Sequence, residues 1–212
     1  MTSGTRKLQA AQTSSELKRA ALAVFERQGY LNTKITDITR EAGRAAGSFY
    51  THFDSKESLL ESLLADLLAE ADKTVTDRRH SGDFADWQAV RWHVSAYWET
   101  YHTHSAVLRS LQQAAIVNER FAARLQELTE PDRRHFVEHL EQARSAGARL
   151  PGDPMLVASA IQSLMLTFTS QWIDHGVRGD LAPDATDADG IDTLTNIIYA
   201  AIHGPSGHQV RR

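Results

Sequence analysis

Two stretches of this chain hold residue types whose spacing could do chemistry. One is His135-Phe136-Val137-Glu138-His139. On a helix, His135 and His139 share a face one turn apart, the geometry of two metal ligands, with Glu138 beside them as a general base for hydrolysis. A hydrolytic centre also needs a third ligand and a cleft, and nothing downstream supplies one distinctively. The bland alternative is a solvated helix face shared with Arg133, Arg134 and Glu141. His102-Thr103-His104 sends its imidazoles to different helix faces and marks a helix break. There is no Cys, so thiolate chemistry and disulfides are excluded, which fits a reducing cytoplasm. Serine-elbow, phosphate-loop and dinucleotide glycine patterns are missing. The chain therefore reads as a non-enzyme without a cofactor.

The other stretch is Ala42-Gly43-Arg44-Ala45-Ala46-Gly47-Ser48-Phe49-Tyr50-Thr51-His52-Phe53. Its chemistry is reversible recognition. A helix, a glycine turn and a short helix opening on small residues form a helix-turn-helix, which presents its second helix to the DNA major groove. Gly47 and Ser48 let the backbone approach base edges, and Arg44, Ala45 and Ala46 lead into that helix. Tyr50, Thr51 and His52 can hydrogen-bond bases or phosphates. Thr33, Lys34 and Thr36 sit near the start of the preceding helix, whose positive dipole end suits a phosphate. Lys56 can add a further phosphate contact.

Helical periodicity governs nearly every segment, and no alternating strand pattern is sustained. The first helix is expected over 14–28, capped by Thr13 with Glu16, with Leu17, Ala20, Ala21, Val24 and Phe25 as its apolar stripe; residues 1–12 are expected to be flexible. A second helix covers 35–42 and a third 45–52, with Phe49 and Phe53 as core anchors. Asp54 and Glu57 have capping-box spacing for a Leu-rich fourth helix reaching about residue 79. Further helices are expected over 84–102, 105–117, 118–147 (kinked or divided at Pro131), 155–175 and 187–203. Loops fall at 81–83, 150–154 and 176–185, and 204–212 is a tail. The fold class is all-α with about nine helices: a three-helix head over 1–55 and a helical body over 56–203.

The net charge of −4 conceals an asymmetry. Residues 1–55 carry eight Lys/Arg against five Asp/Glu, and the remainder fifteen against twenty-two. A mildly basic head on an acidic body suits a DNA reader with a separate second domain. The polar start is no signal peptide, and no apolar run approaches the roughly 20 residues of a membrane span, so no membrane partner is expected.

The run from Leu17 to Leu64 resembles the DNA-binding head of the TetR family of bacterial transcriptional repressors. Phe25, Gly29, Thr33, Asp37-Ile38, Ala42-Gly43, Gly47, Phe49-Tyr50, His52-Phe53 and Ser55-Lys56-Glu57-Ser58-Leu59 carry the resemblance. Arg44 and Ala45 depart from it: the family often has a small apolar residue and then a Ser or Thr there, so the usual hydroxyl cap of the recognition helix is lost. The resemblance implies a cytoplasmic homodimer on a near-palindromic double-stranded operator, with a body that binds a small molecule and releases the DNA. A metal-dependent hydrolase and a helical interaction module are the alternatives.

For the body, the residues themselves give two expectations. An aromatic-rich, mainly apolar ligand pocket draws on Trp87, Trp92, Tyr97, Trp98, Tyr101, Phe121, Phe136, Met165, Phe168 and Trp172, with His102, Gln112 or Gln162 as polar groups. The last two helices are apolar over a broad band. That places Leu156, Ile161, Leu164, Phe168, Ile173, Ile191, Leu194, Ile198 and Ile202 at a dimer interface, the alternative being that both helices are central in the monomer.

Overall fold

The structure is a computed structural model that describes residues 3–75, 81–174 and 183–204. Those residues form eight helices and no strand: α1 (Ser3–Gln28), α2 (Ile35–Glu41), α3 (Ala46–Tyr50), α4 (Lys56–Val75), α5 (Trp87–Val117), α6 (Glu119–Ser145), α7 (Pro154–Asp174) and α8 (Asp187–His203). The far end of the fourth helix, most of the 176–185 loop and most of the 204–212 tail, as expected from the sequence, lie outside the described residues.

Several boundaries differ from the sequence expectation for identifiable reasons. α1 begins at Ser3, so Thr13 is no cap; its hydroxyl donates back to the Gln9 carbonyl at 3.0 Å. Residues 5–12 are mostly Arg, Lys, Leu, Gln and Ala, all strong helix formers, and they extend the helix although every one is exposed. The cap of α4 is shifted by one residue from the Asp54 and Glu57 pair. Ser55 N–H donates to Ser58 Oγ and Ser58 N–H to Ser55 Oγ, both at 3.1 Å. The two helices expected over 84–117 are one, bent at His104 (φ −118°, ψ 22°). α6 runs unbroken through Pro131, which lies on the exposed side, where the carbonyl of Glu127, also exposed, can be solvated. Pro154 opens α7, where a missing N–H costs nothing. Thr186 and Asp189 form a reciprocal capping box at the start of α8.

The chain divides into two compact units. Unit 1 is Met1–Glu70 with Ala106–Glu127, so the far part of α5 and the start of α6 belong with the head. Its core is the expected α1 stripe, Ile38, Phe49 and Phe53, the leucines Leu59, Leu60, Leu63, Leu64 and Leu67 of α4, and Val107, Leu111 and Phe121.

Unit 2 is Ala71–Ser105 with Leu128–Arg212. Here α5 and α8 run antiparallel. Trp87 Nε1 donates to Asn196 at 2.9 Å, Arg91 Nε to Asp192 at 2.7 Å, and Trp98 sits beside Gly190. The core gathers Phe84, Val90, Val94, Trp98, Leu140, Val157, Ile161, Met165, Leu194, Ile198 and Ile202. This corrects part of the interface expectation. Ile161, Leu194, Ile198 and Ile202 are buried within the monomer, while Leu164, Phe168, Ile173 and Ile191 are partly buried against the same core. Among the nine, Leu156 is the fully outward one, 70% exposed. The broad apolar band is largely consumed by three neighbouring helices of one chain.

Candidate nucleic-acid interface

The interface is built on unit 1, from the end of α1 onward. Gly29 ends α1 with φ 75°, a conformation that suits glycine, and its N–H closes on the Phe25 carbonyl at 2.8 Å. The loop that follows is locked from inside. Thr33 is buried and its hydroxyl donates to the Gly29 carbonyl at 2.7 Å. Lys56 Nζ donates to the carbonyls of Tyr30 (2.8 Å) and Thr33 (2.6 Å) and lies 4.1 Å over the Tyr30 ring. The Tyr30 hydroxyl donates to Glu57 at 2.7 Å, and Tyr30 N–H donates to Gln113 at 3.0 Å.

Burial raises the Tyr30 hydroxyl well above its ordinary range, helped by its hydrogen bond to Glu57. Burial pushes the Glu57 carboxyl up, but the Tyr30 hydrogen bond and other donors outweigh it, and the net shift is downward. Burial also lowers the Lys56 ammonium, with Glu57 opposing. These side chains hold the fold. Lys56 and Thr33, expected at phosphates, are instead committed inward.

Lys34 precedes α2, and its backbone N–H donates to Asp37 at 3.0 Å. That hydrogen bond is the main cause that holds the Asp37 carboxyl below its usual range. The start of α2 is thus filled by the chain's own carboxylate, with Lys34 and Thr36 exposed around it. Gly43, with φ 64°, makes the turn, and Arg44 N–H returns to the Thr39 carbonyl at 2.8 Å. Arg44 folds back on α1: its guanidinium Nε and one terminal nitrogen donate to the Glu16 carboxylate, the former at 3.0 Å. That bond is the largest cause lowering the Glu16 carboxyl.

Ala45 is the N-cap of α3 and supplies no side-chain cap, as its residue type dictates. α3 is five residues long, shorter than the expected 45–52, and a following turn brings His52 and Phe53 N–H onto the Phe49 carbonyl, both at 2.9 Å. Phe49 is 0% and Phe53 7% exposed, their rings 5.6 Å apart, so this pair pins the short helix to the core. The opposite face carries Ala46, Gly47, Tyr50 and Thr51, all exposed, with Ser48 and His52 half-buried at its edges. Tyr50 is 59% exposed. A Cβ at Gly47 would meet nothing within 4 Å, so no internal contact requires glycine there.

Glu16, Tyr30, Glu57 and Gln113 position this surface; the sequence pattern suggests Glu16 and Glu57 as helix-capping residues and does not single out Tyr30 or Gln113. Gln113 lies 83 residues from its partner, and no local pattern signals it.

The expected pocket residues divide between the units. Gln112 and Phe121 belong to unit 1. In unit 2, Trp98 packs against Phe168 and Trp172, and Tyr97 and Tyr101 follow on the same helix with ring centroids 6.4 Å apart. Trp87 caps the far end through Asn196. Trp92 borders an open cleft of about 400 Å³ with Asp86, Gln88, Arg91 and Ser95. Phe136 packs on Phe84, Gln162 is half-buried and His102 is exposed.

His135 and His139 do share one face, with rings 4.5 Å apart, but their surroundings differ. His135 and Glu138 are exposed, 3.7 Å apart, whereas His139 is 5% exposed and packs on Phe84 and His93. The solvated-face alternative therefore fails for His139. Among the described residues, no three His, Asp or Glu are placed to hold a metal ion. No described helix is long and apolar enough to cross a membrane.

Residues 17–63, the stretch with this geometry, match the family of bacterial regulatory proteins known as tetR. The chain belongs to the TetR family. It is similar to the helix-turn-helix-type transcriptional regulator BetI of Vibrio parahaemolyticus, 28% identical over 202 residues that cover 85% of this chain and 87% of that one. It is also similar to the regulator YvdT of Bacillus subtilis, 34% identical over 82 residues; that match covers 37% of this chain and only 42% of YvdT. A crystal structure of a tetR-family regulatory protein from Rhodococcus RHA1 shares the fold, with TM-score 0.71 and 20% identity over 92% of this chain and 98% of that one. This TetR-family protein is a transcriptional regulator with a helix-turn-helix head.

Proposed function

We propose that this regulator is a cytoplasmic homodimeric repressor that holds a near-palindromic operator and leaves it when a small, mainly apolar molecule binds the body. Residues 1–55 are the reading head and 56–203 the ligand-binding and dimerisation domain. The observation that carries the reading is the division of α3 into two faces. Phe49 and Phe53 are buried, while Gly47 leaves open space beside exposed Tyr50 and Thr51. A glycine with no internal reason to be one suits close approach to a duplex.

Lys34, Thr36, Ala45, Ala46, Ser48 and His52 complete the surface, and Arg44, oriented by Glu16, is its edge. Mechanism is reversible binding alone: the ligand prefers the state that cannot hold DNA, and that difference in affinity is the coupling.

Anisotropy titration of the purified protein on DNA flanking its own gene tests this. Specific binding that weakens steeply with salt is expected, and Tyr50→Ala should abolish it while leaving sedimentation and helicity unchanged. The absence of any specific site, or full binding by Tyr50→Ala, refutes the reading.

A further inference from the structure

α1 runs well past the core it serves. No residue from Gly4 to Gln12 is buried, and Leu17 is the first that is. The stretch from Ser3 to Gln12 is therefore an overhang, roughly 15 Å long at the rise of an α-helix. It buries nothing against unit 1, so packing does not account for its choice of residues.

That choice is one-sided in charge. Residues 1–15 include Arg6 and Lys7 and no Asp or Glu; the first acid is Glu16, and Arg44 already holds it. Both Arg6 and Lys7 are exposed. Leu8, 73% exposed, is the one large apolar side chain between Ser3 and Gln12, too little for a helix that lies in a bilayer surface. A polyanion fits this segment better than a lipid surface.

The root of the overhang stands beside the recognition helix. Gln12 Nε2 donates to one oxygen of Glu16 at 3.2 Å, and Arg44 Nε donates to the other at 3.0 Å. Arg44 directly precedes Ala45, the N-cap of α3. α1 thus emerges next to the start of α3, on the side proposed above to meet the duplex. Helical spacing carries this direction up the overhang. Gln9, Gln12 and Glu16 share one face, and Arg6, Gln9 and Thr13 form the strip beside it. Lys7, Ala11 and Ser14 take the opposite side.

We infer that the overhang of α1 is a second DNA contact, in which Arg6 donates to a backbone phosphate next to the stretch that α3 occupies, with the Gln9 amide alongside. The guanidinium fork suits phosphate oxygens, and such a contact fixes position without reading sequence. This rests on the DNA-binding reading above.

Anisotropy titrations of the full chain over a series of salt concentrations test it, on the operator fragment and on a scrambled duplex of equal length. Arg6→Gln should reduce the slope of log affinity against log salt by about one and weaken operator binding severalfold. Lys7→Gln removes the same charge from the opposite side and should keep the parent's slope. Gln is a good helix former and both sites are exposed, so both variants keep the parent's helicity. An unchanged slope with Arg6→Gln overturns the proposal. Equal reductions in the two variants also overturn it, because they would mark long-range charge and not a docked face.

Ethylation interference on the operator gives a second readout. A phosphate whose ethylation weakens the parent but not Arg6→Gln marks the contact, and identical patterns for the two proteins overturn it. The scrambled duplex separates this proposal from the function. A parent that prefers no site refutes the repressor reading, while the slope of Arg6→Gln on the scrambled duplex still reads the contact. Specific operator binding that Arg6→Gln leaves untouched keeps the repressor and removes the overhang from DNA.

Discussion

Gln113 Oε1 accepts the backbone N–H of Tyr30 at 3.0 Å, joining the far part of α5 to the residue just beyond the end of α1. The Tyr30 carbonyl goes to Lys56 and its hydroxyl to Glu57. One buried tyrosine thus spends its N–H on α5 and its two oxygens on α4. Gln113→Leu leaves the Tyr30 N–H without that acceptor and is expected to cost about 1–2 kcal/mol. Urea unfolding of the purified variant measures it; an unchanged midpoint would mean the bond contributes nothing.

Lys56 separates a structural from a DNA-binding role. Its ammonium is held by two carbonyls and a ring face within unit 1. Lys56→Met should destabilise the head by about 1–3 kcal/mol, because two part-buried acceptors lose a charged donor. The slope of log affinity for DNA against log salt should stay as in the parent. A slope reduced by about one would place Lys56 on a phosphate instead.

The Tyr30 and Glu57 pair has a pH signature. The folded Glu57 carboxyl titrates below its ordinary value of 4.5. Its contribution is therefore fully present above that value and is lost as pH falls through the lowered one. The Tyr30 hydroxyl is shifted above its ordinary value of 10.0. Its contribution is present below that value and lost as pH rises through the raised one. Glu57→Gln should flatten the acid side of the stability profile, and Tyr30→Phe both sides. Chemical unfolding at a series of pH values reads this, and parallel profiles for parent and Glu57→Gln would show the pair to be uncoupled.

The residues that make the head legible are local. Gly29 and Gly43 punctuate at fixed places, and the stripe Leu17, Ala20, Ala21, Val24 and Phe25 has one period, so each element follows from its own segment. What was not legible is tertiary. The types of Arg44 and Lys56 suggest DNA contacts, yet Glu16 and the Tyr30 and Thr33 carbonyls claim them first. The broad apolar band of α7 and α8 reads equally as a dimer face or as a doubly packed monomer, because periodicity gives the width of a face and not its occupant. His139 looks solvated in its charged segment, and only the packing of Phe84 and His93 buries it.

Gly190 tests whether a helical glycine is there for a neighbour. Ala at this position in α8 would gain about 1 kcal/mol of helix propensity. The added Cβ would stand 2.6 Å from Trp98 Cη2 and 3.3 Å from Trp172. Overpacking a filled site costs about 1–3 kcal/mol, so Gly190→Ala should be net destabilising. Adding Trp98→Phe, which removes the obstructing ring edge, should restore the loss. A stable Gly190→Ala protein would show that Trp98 has room to move.

The homodimer proposed above can use the outward apolar groups of α7 and α8. Leu156 of α7 is 70% exposed and Ile197 of α8 46% exposed. Met155 beside Leu156 is 43% exposed, and small exposed residues follow within two turns: Ser159, Ala160 and Ser163 on α7, Ala200 on α8. Small residues let a second helix approach closely, and large apolar ones supply the burial, so a partner copy can use this face without disturbing Leu194 or Ile198 beneath it. Leu156→Glu and Ile197→Glu should each sediment as a folded monomer at micromolar concentration, with parent helicity because both sites are exposed. Operator affinity should fall steeply as the two heads lose their linkage. If either variant remains dimeric with unchanged affinity, the two heads are joined through a different face.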